Sequence, residues 1–406
     1  MDADGAAAKT RPAIPRGVWV LGFVSLLMDV SSEMIHALLP LYLTLTLGAS
    51  ALVVGLIEGV AEATALIVKV FSGSLSDRWG KRQPITAFGY GLAALSKPLF
   101  ALATSPFLVL VARFLDRIGK GIRGAPRDAL IAALTPSAIR GAAFGLRQSL
   151  DTVGAFAGPL LAMALMLAWN DDFRAVFWVA VVPAILSFLL VLFGVKDPEA
   201  QSSARATAQA PESPRLDLRT LRSLGPAFWA VTIAGGALTL ARFSEAFLIL
   251  RASDLGLAAA YAPVVLVAMN VVYSVTAFPA GRLADRVAPR TLLLIGIAML
   301  VAADVALAST RSLAGLAAGV ALWGLHMGFT QGILAAMVAE AAPAPLHGTA
   351  FGAFNFASGI ALLAASLIAG VLWQLFGPAA TFWAGAALAG ISAALAWSTL
   401  DSRRTP

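Results

Sequence analysis

The hexapeptide GSLSDR at residues 73–78 recurs as GRLADR at residues 281–286, 208 positions further along the chain. A second hexapeptide, RGAAFG at residues 140–145, recurs as HGTAFG at residues 347–352, after 207 positions. Two repeats at nearly one spacing indicate that about half of the chain is an internal duplicate of the other half. The stretch 196–225 separates the copies and is rich in Ala, Ser, Pro and charge, a composition typical of a linker.

Most of the chain is too apolar to face water. Hydrophobic residues make up 59% of the 406 residues and charged residues only 13%, against about 25% charged residues in an ordinary soluble domain. The apolar runs are long and do not alternate with polar residues, so they predict membrane-spanning helices and exclude barrel strands. The net charge of +7 is spread between these runs, which gives no basis for nucleic-acid binding.

A bilayer core requires about 20 apolar residues per helix, and the chain supplies twelve such runs. The fold predicted is therefore all-α, with twelve transmembrane helices in two pseudo-symmetric six-helix bundles at 17–195 and 226–400. Residues 1–16 and 401–406 are predicted as tails. The predicted spans are 17–44, 51–73, 84–103, 106–133, 142–168, 174–195, 226–250, 260–283, 290–308, 313–340, 348–373 and 378–399.

The distribution of basic residues predicts the orientation. When the loops are taken alternately, one set with the two tails carries seventeen Lys and Arg residues, and the other set carries Arg174, Arg251 and Arg311. Because cytoplasmic loops are enriched in Lys and Arg, both termini and the linker are predicted to be cytoplasmic. The first apolar run has no convincing cleavage site, so we expect a retained helix and a bacterial inner-membrane protein.

The duplicated hexapeptide belongs to a longer pattern, Gly73-x-x-x-Asp77-Arg78-x-Gly80-Lys81-Arg82, which resembles the signature loop of the major facilitator superfamily. The second copy has Ala288 where the pattern prefers glycine. The resemblance implies the family's twelve-helix fold, secondary transport and a gating role for this loop. The residues to which it assigns that role are Gly73, Asp77, Arg78, Gly80, Lys81 and Arg82, with Gly281, Asp285, Arg286 and Arg290.

The fifth span resembles the glycine-proline signature of the family's antiporters, although Ala162 and Met163 stand where that pattern ends in glycines. The resemblance implies export by antiport. Small residues at this spacing also permit close helix packing in lipid, so a plain packing face is the alternative. The residues concerned are Gly145, Gly154, Gly158 and Pro159.

Charged residues inside spans are costly and are therefore functional candidates when they face the interior of a bundle. They form stripes at helical spacing on spans one, two and four, and Glu245 on span seven corresponds to Glu33 on span one. A carboxyl group that loses its ion-pair partner during a conformational change can take up a proton. The candidates for proton coupling are Asp29, Glu33, Glu62, Asp151 and Glu245.

Mutual ion pairing is the alternative for each of these groups. It would join Asp29 or Glu33 to Arg113 or Arg117, Glu62 to Lys69, and Asp128 and Asp151 to Arg127 and Arg147. The guanidinium groups favour an anionic substrate and the acids a cationic one, so the sequence leaves the sign open. The candidates for substrate binding are His36, Glu58, Arg113, Arg117, Arg147, Arg242, Asn270, His326 and Asn355.

The leading hypothesis is a proton-coupled transporter of a small solute that works by alternating access, with efflux by antiport as one form of it. A transition-metal or metal-chelate carrier is the second hypothesis, with Asp29, Glu33, Glu62 and His36 as ligands. A non-transporting receptor with the same fold is the third. Catalytic motifs are lacking, so we expect no enzyme activity, no cofactor and no resident metal, and a monomer whose partners are the solute, protons and lipid.

Overall fold

A computed structural model describes residues 13–79, 81–136, 139–197, 218–284, 286–343 and 346–400. The first bundle has six long helices, whose ends lie within a few residues of the predicted spans, apart from the end of α1 and that of α2. They are α1 Arg16–His36, α2 Ala51–Trp79, α3 Arg82–Leu102, α4 Pro106–Leu134, α5 Arg140–Ala168 and α6 Phe173–Gly194. The second bundle comprises α7 Gly225–Ala241, α8 Pro263–Ala284, α9 Pro289–Ser309, α10 Leu313–Ala341, α11 His347–Phe376 and α12 Pro378–Thr399.

Eleven of the described spans are long and apolar enough to cross a membrane by length and composition. Helix α4 is the twelfth long helix, and its 29 residues carry too many charges to meet that criterion. Its charged residues share one face, and Arg113, Asp116 and Arg117 are buried inside the bundle. Large apolar side chains such as Leu95, Phe193 and Phe278 are exposed on the outside, as expected for a surface in contact with lipid.

The first and seventh spans are interrupted, which the sequence did not predict. Helix α1 ends at His36 and the span continues as a short helix, Leu39–Leu41, and a π-helix, Tyr42–Thr46. Helix α7 ends at Ala241, the chain is non-helical over residues 242–245, and a second segment, Ala246–Asp254, completes the span. Neither break contains glycine, and proline follows only the first, at Pro40.

The two bundles meet along α2 with α11 and along α5 with α8. Glycines bring α2 and α11 together, since a methyl group on Gly55 would lie 2.2 Å from the carbonyl oxygen of Ser366. A methyl group on Gly370 would lie 2.8 Å from the Cα of Leu52. Because α2 corresponds to α8 and α5 to α11 in the duplicated halves, the two interfaces are related by the pseudo-twofold axis.

We name the end of the molecule where α1 begins and α6 ends the linker face, and the other end the opposite face. At the opposite face, the segment Ala246–Asp254 packs against Leu39–Leu41. A 3₁₀ turn, Ala259–Tyr261, packs there against α5. The two bundles are therefore in contact at the opposite face.

The duplicated motif is largely helical, whereas the predicted spans placed it in a loop. Helix α2 continues through the motif to Trp79, and α3 begins at Arg82, so the chain reverses direction over residues 80 and 81. In the second copy, α8 ends at Ala284 and α9 begins at Pro289. The predicted span 51–73 was too short because the charges of the motif lie on the last turns of the helix.

Candidate transport site

Two adjoining cavities lie between the bundles. The larger, of about 430 Å³, reaches towards the linker face, where Lys69 and Gln148 line it. The smaller, of about 260 Å³, extends to the break in α7, and all four residues of that break line it. Glu33, Glu62 and Asn270 line both, so the two cavities share a wall at mid-membrane depth. Discontinuous helices at the repeat interface are where transporters with inverted repeats bind substrate.

All five carboxyl groups proposed for proton coupling line this space. Asp29, Glu33, Glu62 and Asp151 line the larger cavity, and Glu245 lines the smaller one together with Glu33. Glu33 and Glu245, which correspond in the two halves of the sequence, therefore line one cavity between the bundles.

Ion pairs on and behind the cavity wall join α1, α2 and α4. His36 lies 3.3 Å from Glu33 through Nδ1 and 3.7 Å from Glu58 through Nε2. Arg113 donates a hydrogen bond of 2.8 Å from Nη2 to the Oε2 atom of Glu58, and both side chains are about 1% exposed. Glu62 completes the connection, at 3.9 Å from Arg113 and 3.3 Å from Arg117.

A buried lysine extends this network to α3. The Nζ atom of Lys97 donates hydrogen bonds of 2.7 Å to Asp116 and 2.9 Å to Ser32. Arg117 lies 4.0 Å from the same aspartate. Sequence reasoning missed Lys97, because it is a single charge in span three and forms no stripe.

The predicted pairing within this network was mostly wrong. Glu62 pairs with Arg113 and Arg117 instead of Lys69. The guanidinium groups of Arg113 and Arg117 therefore contact carboxyl groups of α2, instead of Asp29 or Glu33 on α1. Helical spacing shows which residues share a face, but it does not show which neighbouring helix that face contacts. Of the predicted pairs, the local ones are confirmed: Arg147 lies 3.1 Å from Asp151 and 3.5 Å from Asp128, and Arg127 lies 3.2 Å from Asp128.

The glycines of the antiporter-like pattern on α5 pack against the carboxylate stripe of α1. A methyl group on Gly154 would lie 2.9 Å from the Cβ of Asp29, and one on Gly158 would lie 2.8 Å from the Cβ of Glu33. Pro159 is buried within the same helix. Gly145 differs, since its Cβ position has no neighbour within 4 Å. Gly154 and Gly158 thus let α1 and α5 approach closely at the two carboxyl groups.

Some predicted substrate-binding residues lie outside the two cavities. His326 is fully buried between α10 and α9, where its Nδ1 atom lies 2.8 Å from the carbonyl oxygen of Gly296. Asn355 is half-buried on α11 and lines neither cavity. Glu58, Arg113 and Arg147 lie behind the wall in ion pairs. The predicted residues that do line the space are His36, Arg117, Arg242 and Asn270.

The structure places the proposed gating residues at the linker face only in part. Gly73, Asp77 and Arg78 lie on the last turns of α2, Lys81 and Arg82 at the start of α3, and Gly281 near the end of α8. Gly80 and Asp285 lie outside the described residues. Arg286 lies in the turn after α8 and Arg290 at the start of α9. The guanidinium of Arg290 covers the Trp397 ring at 4.1 Å and donates a 2.6 Å hydrogen bond to its carbonyl oxygen.

One further buried carboxyl group lies in the second bundle. Asp304 on α9 is 0% exposed, and neither of its oxygens has a hydrogen-bond partner among the described residues. A methyl group on Gly385 would lie 2.6 Å from its Oδ2 atom. In the described ranges, no group of three or more His, Asp or Glu residues is arranged to hold a metal ion.

Two six-helix bundles around a charged, membrane-embedded cavity define the protein as a polytopic membrane transporter. The Major Facilitator Superfamily family model matches residues 21–252 and 243–406, and the chain belongs to that superfamily. An MFS-type transporter of Methanocaldococcus jannaschii, described as uncharacterised, is 31% identical over 388 residues, which cover 94% of each chain. The multidrug resistance protein MdtH of Photorhabdus laumondii is 32% identical over 162 residues, 40% of this chain and 39% of that protein.

Solved structures share this fold. A mutant of the nucleoside transporter NupG superposes with a TM-score of 0.78 at 13% identity, over 95% of this chain and 100% of that chain. A bacterial homologue of the human lysosomal transporter Spinster, inward-facing and unoccupied, superposes with a TM-score of 0.76 at 16% identity, over 98% of this chain and all of that one. At these identities the likeness shows the twelve-helix fold alone.

Proposed function

We propose that the protein is a proton-coupled secondary transporter of a small solute, which works by alternating access in a bacterial inner membrane. The observation that carries this proposal is the cavity between the bundles, on whose wall Asp29, Glu33, Glu62, Asp151 and Glu245 lie. Carboxyl groups at this depth are costly in a membrane, which favours a functional role for them. The positive-inside bias supports a cytoplasmic placement of the linker face and of both termini.

Glu33 is the first candidate for the coupling site. It lines both cavities, and it contacts only His36 among the ion-pairing groups of the described chain. Protonation of Glu33 removes the negative charge that faces His36, and His36 also contacts the enclosed Glu58–Arg113 pair. A proton on Glu33 therefore changes the balance of charge along the network that joins α1, α2 and α4.

Export by antiport is the finer form of this proposal. It rests on the α5 pattern that ends in Gly158 and Pro159, and on the partial similarity to a protein named for multidrug resistance. The close approach of Gly154 and Gly158 to the α1 carboxyl groups gives the pattern a physical role, because movement of α5 along α1 would change the surroundings of Asp29 and Glu33.

The test is proton flux in liposomes that contain the purified protein and a trapped pH-sensitive dye. Pools of organic anions, lipophilic cations and neutral solutes are added outside the liposomes, without an imposed proton gradient. We expect one pool to drive proton movement in the wild type and in the control Glu340→Gln. The Glu340 carboxyl group lies on α10, outside the larger and the smaller cavity. Glu33→Gln should abolish that movement. Solute flux without proton movement in the wild type would refute the coupling.

A further inference from the structure

Three cationic side chains on the α2 and α4 wall of the larger cavity have no ion-pair partner among the described residues. Lys69, Lys120 and Arg123 line this cavity. Among the described residues, none of the three forms a side-chain hydrogen bond or an ion pair. Lys69 and Lys120 are exposed to the cavity space. Unpaired ammonium groups at this depth are expensive, so their place on a cavity wall points to a ligand.

Arg123 is the most enclosed of the three. Its side chain is about 4% exposed, its Nη1 atom is buried without a hydrogen-bond partner in the described chain, and its guanidinium lies 4.8 Å from the centre of the Tyr90 ring. The ring fixes the guanidinium but accepts no conventional hydrogen bond from it. A buried guanidinium with an unused donor beside a cavity is suited to an oxyanion that enters the cavity.

The carboxyl groups of the larger cavity leave these cations largely unbalanced. Glu62 is engaged by Arg117, Asp151 by Arg147 and Glu33 by His36. Asp29 then has no ion pair in the part of the chain that the structure describes, and the charge of Glu33 is balanced only when His36 is protonated. Three cations without ion pairs against these two carboxyl groups leave an excess of positive charge, which favours an anionic ligand.

The facing wall, on α8, has a different chemistry. It presents the side chains of Asn270, Tyr273 and Ser274, which are neutral and can donate or accept hydrogen bonds. A ligand that spans the cavity therefore meets cations on the first bundle and neutral polar groups on the second. This arrangement suits an oxyanion at one end of a solute and hydroxyl or amide groups at the other.

We propose that the transported solute is a small hydroxylated organic anion, such as a phosphate monoester or a carboxylate, whose anionic group binds Lys69, Lys120 and Arg123. This inference rests on the proposed transport function and names its substrate class. The cavity of about 430 Å³ lies within the range of small-molecule sites. The bundle that binds the anion also carries Asp29, Glu33, Glu62 and Asp151, four of the five carboxyl groups proposed for coupling. Asn270, Tyr273 and Ser274 bind the neutral part.

Binding is measured without transport, as the rise in unfolding temperature of the purified protein in detergent. The probes are glucose 6-phosphate, glycerol 3-phosphate, gluconate and citrate, with glucose and tetraphenylphosphonium as neutral and cationic comparisons. We expect at least one anion to stabilise the wild type. Lys120→Gln should weaken that anion's apparent affinity about tenfold, because a charge-assisted hydrogen bond is lost.

Lys196→Gln is the matched control, since Lys196 is an exposed lysine outside the cavity. This variant should bind the anion with the same affinity as the wild type. Lys120→Arg should retain binding, which separates loss of charge from loss of fold. The proposal would be overturned if tetraphenylphosphonium alone stabilised the protein, or if no probe did. It would also be overturned if micelles that contain phosphatidylglycerol stabilised the protein and no soluble anion did. Anion binding together with proton-independent flux would instead refute the coupling and leave the anion site standing.

Discussion

At the scale of single residues, the Glu58–Arg113 pair is the most enclosed interaction of the charged network. Both side chains are about 1% exposed, and their contact of 2.8 Å holds α2 to α4. Removal of one partner leaves the other charge in a low-dielectric interior with only a longer contact, to His36 for Glu58 or to Glu62 for Arg113. Removal of both leaves neither charge behind. The free energy of unfolding should therefore fall more when one partner is removed than the net attraction of the pair would suggest.

We expect Glu58→Gln and Arg113→Gln each to destabilise the protein by about 3 kcal/mol. The double variant should lose less than the sum of the two, because neither charge remains unpaired. Unfolding of the purified protein in detergent measures all three variants. Asp128→Asn is the control, since Asp128 is 39% exposed and its ion pairs should contribute less than about 1 kcal/mol. Additive losses in the double variant would contradict a direct buried pair.

Much of the candidate site could be predicted from the sequence, because costly charges in spans identify themselves. The stripes on α1 and α2 led to Asp29, Glu33 and Glu62, which line the cavity. Lys97 was missed because its partner Asp116 comes from another helix, and a single sequence does not show which helices are neighbours. The same limit explains the wrong partner for Glu62 and the wrong location for His326.

At the scale of helices, α5 and α1 depend on glycine for their close approach. Gly154 and Gly158 face the backbone of α1 at the level of Asp29 and Glu33, whereas Gly145 faces open space. The same helix thus carries glycines with and without a packing requirement. The antiporter-like pattern is therefore also a packing face, as the alternative interpretation of the sequence held.

Gly158→Ala should lower both the unfolding temperature and proton-coupled flux, because the added methyl group would lie 2.8 Å from the Cβ of Glu33 and from the carbonyl oxygen of Val30. Gly145→Ala is the matched variant on the same helix. It should be neutral or stabilise the helix by up to about 1 kcal/mol, since alanine favours helix more than glycine does. Equal effects of the two substitutions would show that α5 does not pack on α1 as described.

The helices themselves could be predicted from the sequence with errors at a few ends. Runs of about 20 apolar residues identify most of the spans, whereas α4 carries too many charges to meet that criterion. The break in α7 could not be predicted, because Arg242, Phe243, Ser244 and Glu245 include no helix-breaking residue. These residues leave the helical path where they line the smaller cavity between the two bundles.

At the scale of the whole molecule, the bundles are in contact at the opposite face, and the larger cavity extends towards the linker face. Two bundles related by a pseudo-twofold axis can also form the reverse arrangement, open at the opposite face and closed at the linker face. The duplication at 208 positions predicted this symmetry, but the sequence did not indicate which of the two arrangements the structure would show.

The measurement that tests this account most directly is the distance between spin labels across each face in a bilayer. The chain contains no cysteine, so labels attach only to introduced ones. Gly141→Cys with Gly348→Cys spans the linker face, where a Cβ atom at either position would have no neighbour within 4 Å. Thr104→Cys with Arg311→Cys spans the opposite face at exposed positions.

We expect a change from alkaline to acidic pH to shift the two distances in opposite directions, one shortening as the other lengthens. Glu33→Gln should reproduce the acidic distances at alkaline pH, because glutamine mimics the protonated side chain. Glu340→Gln should leave the pH response unchanged. Distances that ignore pH, or that lengthen and shorten together at both faces, would contradict proton-driven alternating access.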